Sequence, residues 1–151
     1  MARPRKMRSV NRPPQFKAFK PAGIRSRFLE DLPLELDELE AIRLADHEGL
    51  DHNESAERMG ISRSTFSRLV EKARHKVACF LIEGNCLTIE GGDVHFRGNL
   101  IRCEDCGSLT KLPFTDTASV CPDCGSANLT DLAGCFGHGG CCRRHHGNRR
   151  G

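Results

Sequence analysis

Residues 51–76 read DHNESAERMGISRSTFSRLVEKARHK, and this stretch decides the fold. Two amphipathic segments flank Gly60, and apolar residues occupy the positions that a helix-turn-helix must bury, which are Ala56, Met59, Ile61, Phe66 and Leu69. Ser55 departs from the pattern, because its place usually holds an apolar residue. The spacing predicts a helix-turn-helix with double-stranded DNA as its leading partner, although a plain helical hairpin with a Gly turn needs the same spacing.

Charge is distributed unevenly along the 151 residues, whose formal net charge is +3. Residues 1–27 contain nine Lys or Arg and no acid, whereas residues 28–60 contain eleven Asp or Glu against Arg43 and Arg58. Residues 61–76 are basic again. Because phosphate repels carboxylates, we expect the acidic run to face away from DNA. The absence of Trp and Tyr argues against one large core.

The chain has neither an apolar run of signal-peptide length after its basic start nor a stretch of roughly 20 apolar residues that would span a bilayer. We therefore expect a cytoplasmic protein. In a reducing compartment, nine cysteines arranged partly as close pairs favour metal binding over a disulfide framework.

The predicted fold class is mainly α. A basic, Pro-rich N-terminal arm (1–33) precedes a three-helix, helix-turn-helix domain with a small β hairpin around Gly91-Gly92 (34–92). A small four-cysteine β module (100–133) and a flexible Cys/His-rich tail (134–151) follow. Within the helical domain, Asp37 and Asp51 are the predicted starts of the first two helices, and Ser62 caps a third that extends to about Ile82.

On the third helix, Ser64, Arg68 and Lys72 point away from the apolar stripe, and Arg63 and Ser67 lie near its flanks. Those in the first turns can contact base edges and the later ones phosphate, so the predicted DNA-binding residues are Arg63, Ser64, Thr65, Ser67, Arg68, Lys72 and Arg74. A cluster in the arm has the composition of a minor-groove contact and adds Arg3, Arg5, Lys6 and Arg8. The alternative for the arm is a solubilising or nonspecific tail.

The stretch from Leu34 to Arg74 resembles the region-four helix-turn-helix of bacterial sigma factors. Together with the initial MARPRK, the FKPAG segment and the IEGG that follows, it also resembles a family of uncharacterised prokaryotic proteins predicted to bind DNA, over roughly residues 1–92. The resemblance implies a small helical DNA-binding domain but no operator or regulated process. Because the rest of a sigma factor is missing, we do not expect the protein to initiate transcription by itself.

Two CxxCG motifs predict a metal site formed by Cys103, Cys106, Cys121 and Cys124, with fourteen residues between the inner cysteines. Paired two-residue spacings place four thiolates around one ion, and tetrahedral zinc suits them. The module resembles a zinc ribbon, with a partial likeness to rubredoxin through CPDCG. Iron is the alternative metal, although the aromatic residues that usually enclose a rubredoxin site are missing.

The tail contains further metal-binding residue types that could hold a second zinc, copper or nickel ion or capture metal adventitiously: Cys135, His138, Cys141, Cys142, His145 and His146.

Taken together, the motifs favour a sequence-specific DNA-binding protein, a transcriptional regulator with a structural zinc site. The alternatives are a metal-responsive or metal-handling protein and a rubredoxin-like electron carrier. We expect no enzymatic activity, since the sequence has no phosphate-binding Gly loop and no nucleophile with an identifiable base. A homodimer formed through the third helix and the hairpin, and contact with the transcription machinery, are further expectations.

Overall fold

The computed structural model describes residues 7–138 and 141–142. The chain forms two compact units, one comprising Met1–Ser9 with Phe16–Val94 and the other Val10–Gln15 with His95–Gly151. The strands are β1 (Arg8–Val10), β2 (Ala18–Phe19), β3 (Asp31–Leu34), β4 (Cys86–Ile89), β5 (Val94–Phe96), β6 (Asn99–Cys103), β7 (Leu109–Leu112) and β8 (Leu129–Asp131). The helices are α1 (Leu36–Ile42), α2 (His52–Met59), α3 (Arg63–Glu83) and α4 (Leu132–Cys135), with a 3-10 turn at Ser26–Phe28 and a π-helical turn at Arg43–His47.

The fold is mixed α/β, so the predicted mainly α class is wrong. In the first unit β4 pairs antiparallel with β2 and parallel with β3, and α1, α2 and α3 form the connection from β3 to β4. Pro33 lies inside β3, which is tolerated because β3 is an edge strand. Because β3 contains this proline and β2 is only two residues long, periodicity in the sequence does not predict either strand.

The predicted β hairpin around Gly91 and Gly92 is also wrong. The strands on either side of these glycines belong to different sheets, since β4 pairs with β2 and β3 whereas β5 is in a two-stranded sheet with β1. Both glycines have positive φ, and the Leu36 N–H donates to the Gly91 carbonyl at 3.2 Å. A Cβ on Gly92 would lie 3.2 Å from the Asp37 carboxylate. The glycines therefore allow close packing against the start of α1 rather than a tight hairpin turn.

The ends of α2 and α3 are set by local hydrogen bonds. The Asp51 side chain accepts from the Glu54 N–H at 2.8 Å, and the Ser62 hydroxyl accepts from the Thr65 N–H at 3.2 Å. Gly60 ends α2 in the left-handed region, with φ of 69°. These features confirm both predicted limits of α2 and the predicted start of α3. The start of α1 differs from the prediction, because a reciprocal capping box between residues 35 and 38 precedes the predicted start.

An apolar core holds the helices of this unit together. Its buried members come from α1, the π-helical turn, α2 and α3, and they are Ala41, Leu44, Ala56, Met59, Phe66, Leu69 and Val70. A second cluster, in which Ala73 of α3 meets Leu34 of β3 and Leu87 of β4, joins α3 to the sheet. The buried stripe of α3 does not continue to its end, where Leu81 and Ile82 are 71% and 86% exposed.

The carboxylates of α1 are unusual because three of them are buried: Asp37, Glu38 and Glu40. Each forms an ion pair, with Arg8, Lys76 and Arg43 respectively. Part of the acidic run therefore lies inside the unit, where its charge is balanced by paired cations.

The second unit is built on an antiparallel sheet in which β6 lies between β7 and β8. The buried Asn99 at the start of β6 donates to Asp131 at 2.7 Å and accepts from the Ala133 N–H at 3.1 Å. These bonds fix the first turn of α4 against β6. In the portion of the chain that the structure describes, no helix has the length and apolarity to cross a membrane.

Candidate metal centre and candidate nucleic-acid interface

The four predicted cysteines lie together, in two turns with the same backbone geometry. In the first turn Cys103 N–H donates to the Ser108 carbonyl and Gly107 N–H to the Cys103 carbonyl, both at 2.9 Å. In the second, Cys121 N–H donates to Ser126 at 2.7 Å and Gly125 N–H to Cys121 at 2.9 Å. Both glycines have positive φ, which the tight turn requires. Because the sequence CxDCGS occurs in both turns, local sequence alone determines this geometry.

The sulfur spacing fits one tetrahedral ion. The Sγ atoms of Cys103 and Cys124 are 3.5 Å apart, and those of Cys106 and Cys121 are 3.7 Å apart. All four ligand atoms lie within 4.8 Å of one another. A tetrahedron with metal–sulfur bonds of about 2.3 Å has edges of about 3.8 Å. The cluster is thus positioned to hold a metal ion, and its geometry is consistent with zinc.

Hydrogen bonds support the cysteine cluster from outside. The Ser108 hydroxyl lies 3.3 Å from the sulfurs of both Cys106 and Cys121, and the Asp123 N–H donates to Cys121 at 3.4 Å. Asp105 of the first turn accepts from the Ser126 hydroxyl of the second. Such contacts orient ligands around a metal. They connect the two turns directly, even though fourteen residues separate the inner cysteines.

The thiols of the cluster have divergent pKa values. The Ser108 hydroxyl and neighbouring amides lower the pKa of Cys121 to about 6. A backbone hydrogen bond with Ser126 lowers the pKa of Cys124, but the contact with Cys103, desolvation and the contacts with Cys106 and Cys121 together outweigh it and raise that pKa to about 12. Adjacent sulfurs cannot all carry a negative charge without a cation between them. This electrostatic pattern suits a site that is completed by a positive ion.

The tail residues separate into different groups. His138, Cys141 and Cys142 lie in a second cluster of potential metal ligands, together with His95 of β5. Cys135 is not one of its members, and His145 and His146 lie outside the described residues. Sequence reasoning missed His95, because a single histidine in a short strand has no ligand-like spacing to the tail.

The predicted recognition side chains of α3 fall into two sets. Arg63, Ser64, Arg68 and Lys72 are exposed. Arg63 and Lys72 have no hydrogen-bond or ion-pair partner among the described residues. The Arg68 Nε lies 3.4 Å from the Ser64 carbonyl, one turn earlier. The Ser64 hydroxyl lies 3.3 Å from the Ser62 hydroxyl. The first three turns of α3 therefore present three cations to solvent, together with the exposed Ser64.

The other three predicted residues of α3 are engaged within the unit. Thr65 Oγ1 lies 2.8 Å from the Ser62 hydroxyl, and Ser67 Oγ lies 2.8 Å from Nδ1 of His52. Arg74 donates to both carboxylate oxygens of Asp46, at 2.7 and 3.0 Å, and this contact lowers the pKa of Asp46 and raises that of Arg74. These contacts compete with any contact to nucleic acid.

The predicted arm cluster is only partly described. Arg8 forms an ion pair of 2.5 Å with the buried Asp37, and its own side chain is only 16% exposed. Arg8 therefore has a structural partner that a minor-groove contact would have to replace. Arg3, Arg5 and Lys6 lie outside the described residues.

Fold and site define a mixed α/β protein of two compact units, one of which carries cysteines positioned to hold a metal ion. Residues 1–97 match the family described as "Protein of unknown function DUF134", and the chain belongs to that family. The family match ends before Cys103, the first residue of the four-cysteine cluster.

Similarity to individual relatives extends further along the chain. A UPF0251 protein of Chloroherpeton thalassium is 48% identical over 132 residues, covering 87% of both chains. A UPF0251 protein of Moorella thermoacetica is 43% identical over 145 residues, or 96% of this chain and 95% of the relative. A third, from Halothermothrix orenii, is 43% identical and covers 82% of this chain and 95% of its own. No solved structure matches the chain.

Proposed function

We propose that the protein is a sequence-specific DNA-binding regulator in which α2, the Gly60 turn and α3 form a helix-turn-helix. The observation that carries the proposal is the packing of α2 and α3 into one core while four polar residues at the start of α3 stay exposed. A recognition helix needs this division, because its apolar side must be held while its polar side reaches base edges.

The charge distribution supports the same role. The exposed cations Arg63, Arg68 and Lys72 lie on one helix, whereas Glu38 and Glu40 of α1 are buried and paired. The paired cations offset the repulsion that those carboxylates would exert on phosphate. Glu71 is the exposed acid among these α3 cations and reduces their net charge.

Arg63, Ser64 and Arg68 are the proposed base-reading residues, and Lys72 is a proposed phosphate contact. The engaged residues Thr65 and Ser67 then position the helix rather than read sequence, since their hydroxyls contact Ser62 and His52. The proposed metal of the four-cysteine cluster is a structural zinc, because four thiolates close its coordination shell and leave no open position for catalysis. Iron with reversible redox chemistry, as in an electron carrier, is the outcome of metal analysis that would contradict this assignment.

Selection of bound duplexes from a random pool tests the proposal and supplies a target. On the selected duplex, Arg63→Ala and Arg68→Ala should each weaken binding by about 1–3 kcal/mol and relax specificity at one position. Lys72→Ala should weaken binding to all sequences and reduce the slope of log K against log salt by about 1. Arg25→Ala, an exposed arginine outside α3, is the control for loss of one charge.

Failure to recover any motif, or binding that is the same for Arg63→Ala, Arg68→Ala and Arg25→Ala, would reject the proposed interface. A homodimer and contact with the transcription machinery stay predictions. A palindromic motif with half-sites about one DNA turn apart, roughly 34 Å, would support the dimer.

A further inference from the structure

We propose that His95, His138, Cys141 and Cys142 form a second metal site, which binds one zinc ion in tetrahedral coordination by two imidazoles and two thiolates. The site lies in the second unit and does not use α3, so it is independent of the proposed DNA-binding surface. It also uses none of the four cysteines of the first cluster.

The distances among the four residues match a tetrahedral shell. Nδ1 of His138 is 3.2 Å from the Cys141 sulfur and 3.8 Å from the Cys142 sulfur, and Nδ1 of His95 is 3.9 Å from the Cys142 sulfur. Zinc–nitrogen bonds of about 2.0 Å and zinc–sulfur bonds of about 2.3 Å give nitrogen–sulfur edges of about 3.5 Å. Small side-chain adjustments would therefore bring all four atoms onto one ion.

The spacing of the adjacent cysteines also fits shared coordination. Their sulfurs are 3.9 Å apart, close to the edge of about 3.8 Å expected for two thiolates on one zinc ion. A disulfide would require about 2.05 Å. Both residues are free thiols in the structure.

The surrounding residues hold the ligands in place. The Phe96 N–H donates to the Cys142 sulfur at 3.3 Å, the type of outer hydrogen bond that orients a thiolate ligand. The buried Phe96 ring also meets the His138 ring edge to face, with centroids 5.0 Å apart. The His138 N–H donates to the Ala133 carbonyl at 2.9 Å, which fixes the histidine just after α4.

Charge and burial favour a divalent ion of borderline softness. The Cys142 side chain is fully buried, and an unpaired thiolate there would be costly. Two thiolates and two neutral imidazoles around Zn²⁺ give a neutral shell, which removes most of that cost. Zinc accepts this mixed donor set with tetrahedral geometry.

Metal analysis of the reduced full-length chain after passage over a chelating resin tests the site. We expect two zinc ions per chain in the wild type and one in His95→Ala. The matched control is Cys135→Ser, which alters a tail cysteine outside the cluster and should retain two. Cys106→Ser should lose the ion of the first cluster and keep the second.

Alkylation mapped by mass spectrometry gives a second readout that does not depend on metal content. Zinc should protect Cys141 and Cys142 from alkylation. His95→Ala should lower the zinc affinity measured by this protection by at least about 100-fold, which is more than the loss of an outer hydrogen bond causes. Far-UV circular dichroism checks that the variant is folded, and Cys141→Ser replaces it if it is not.

One resin-resistant zinc ion per wild-type chain, with Cys141 and Cys142 alkylated equally fast with and without zinc, would overturn the site. A His95→Ala variant that keeps two zinc ions, and whose Cys141 and Cys142 stay fully protected from alkylation by zinc, would also overturn the site. Neither result affects the DNA-binding proposal, which is tested through α3.

Discussion

The ion pair between Lys76 of α3 and the buried Glu38 of α1 gives a sharp test of what joins these helices. Lys76 Nζ lies 2.7 Å from Glu38 Oε1, and the two side chains are 19% and 0% exposed. Glu38 Oε1 also accepts from the Glu35 N–H at 3.0 Å, whereas Oε2 has no partner among the described residues. The change Lys76→Met keeps the aliphatic length and removes the ammonium group.

At 2.7 Å the attraction between the two charges is about 6 kcal/mol with an effective dielectric constant of about 20. Desolvation of the carboxylate offsets most of this in the intact pair. Removing only the cation leaves the desolvated carboxylate without a counter-ion, so Lys76→Met should lower the free energy of unfolding by about 3–5 kcal/mol.

Urea unfolding followed by far-UV circular dichroism measures this loss, because α1, α2 and α3 all belong to the first unit and contain most of the helical residues described. Lys72→Met is the matched control, since Lys72 is an exposed lysine on the same helix and its replacement should change stability by no more than about 0.5 kcal/mol.

The double variant Glu38→Gln/Lys76→Met separates loss of the pair from loss of packing. Gln at position 38 can still accept from the Glu35 N–H in the capping box, so the double variant should be more stable than Lys76→Met alone. A Lys76→Met protein within about 0.5 kcal/mol of the wild type, or a double variant less stable than the single one, would refute the reasoning.

Three further predictions concern the turn, the core and the metal. Ser55→Ala removes a buried hydroxyl that has no partner among the described residues, so the free energy of unfolding should rise by about 1 kcal/mol in chemical denaturation. Ser64→Ala, which removes an exposed hydroxyl, is the control and should not raise the free energy of unfolding. Gly60→Ala should lower the free energy of unfolding by about 1–2 kcal/mol, because residue 60 has a positive φ that alanine adopts only with strain. The strain is the whole effect, since a Cβ at this position would meet nothing within 4 Å. An unchanged denaturation midpoint would contradict this prediction. Cys121→Ser should abolish zinc binding by the first cluster, and acidification should release that zinc from the wild type as protons compete for the thiolates. Metal analysis that finds this zinc retained in Cys121→Ser would count against the site.

Local sequence was sufficient to predict those structural features that depend only on residues close together in the chain. The caps at Asp51 and Ser62 and the left-handed Gly60 follow from short-range hydrogen bonds and backbone sterics. The two CxDCGS turns are equally local, so four cysteines positioned for one metal ion could be predicted from spacing alone. The exposure of Ser64, Arg68 and Lys72 followed from helical periodicity.

The sheet topology, the ion pairs and the second ligand cluster depend on contacts between residues far apart in the sequence. Periodicity does not reveal which short strands pair, so the sheet that combines β2, β3 and β4 and the mixed α/β class emerged only from the tertiary structure. Sequence alone predicted a basic arm and an acidic run, but the fold pairs Arg8 with Asp37 and engages Arg74 with Asp46. The fold likewise places Nδ1 of His95 3.9 Å from the Cys142 sulfur, although the two residues are 47 positions apart in the sequence. The sequence by itself determined the local elements and the metal-binding turns; the tertiary structure decided which charges are buried and which ligands meet, because those contacts depend on chain segments far apart in sequence.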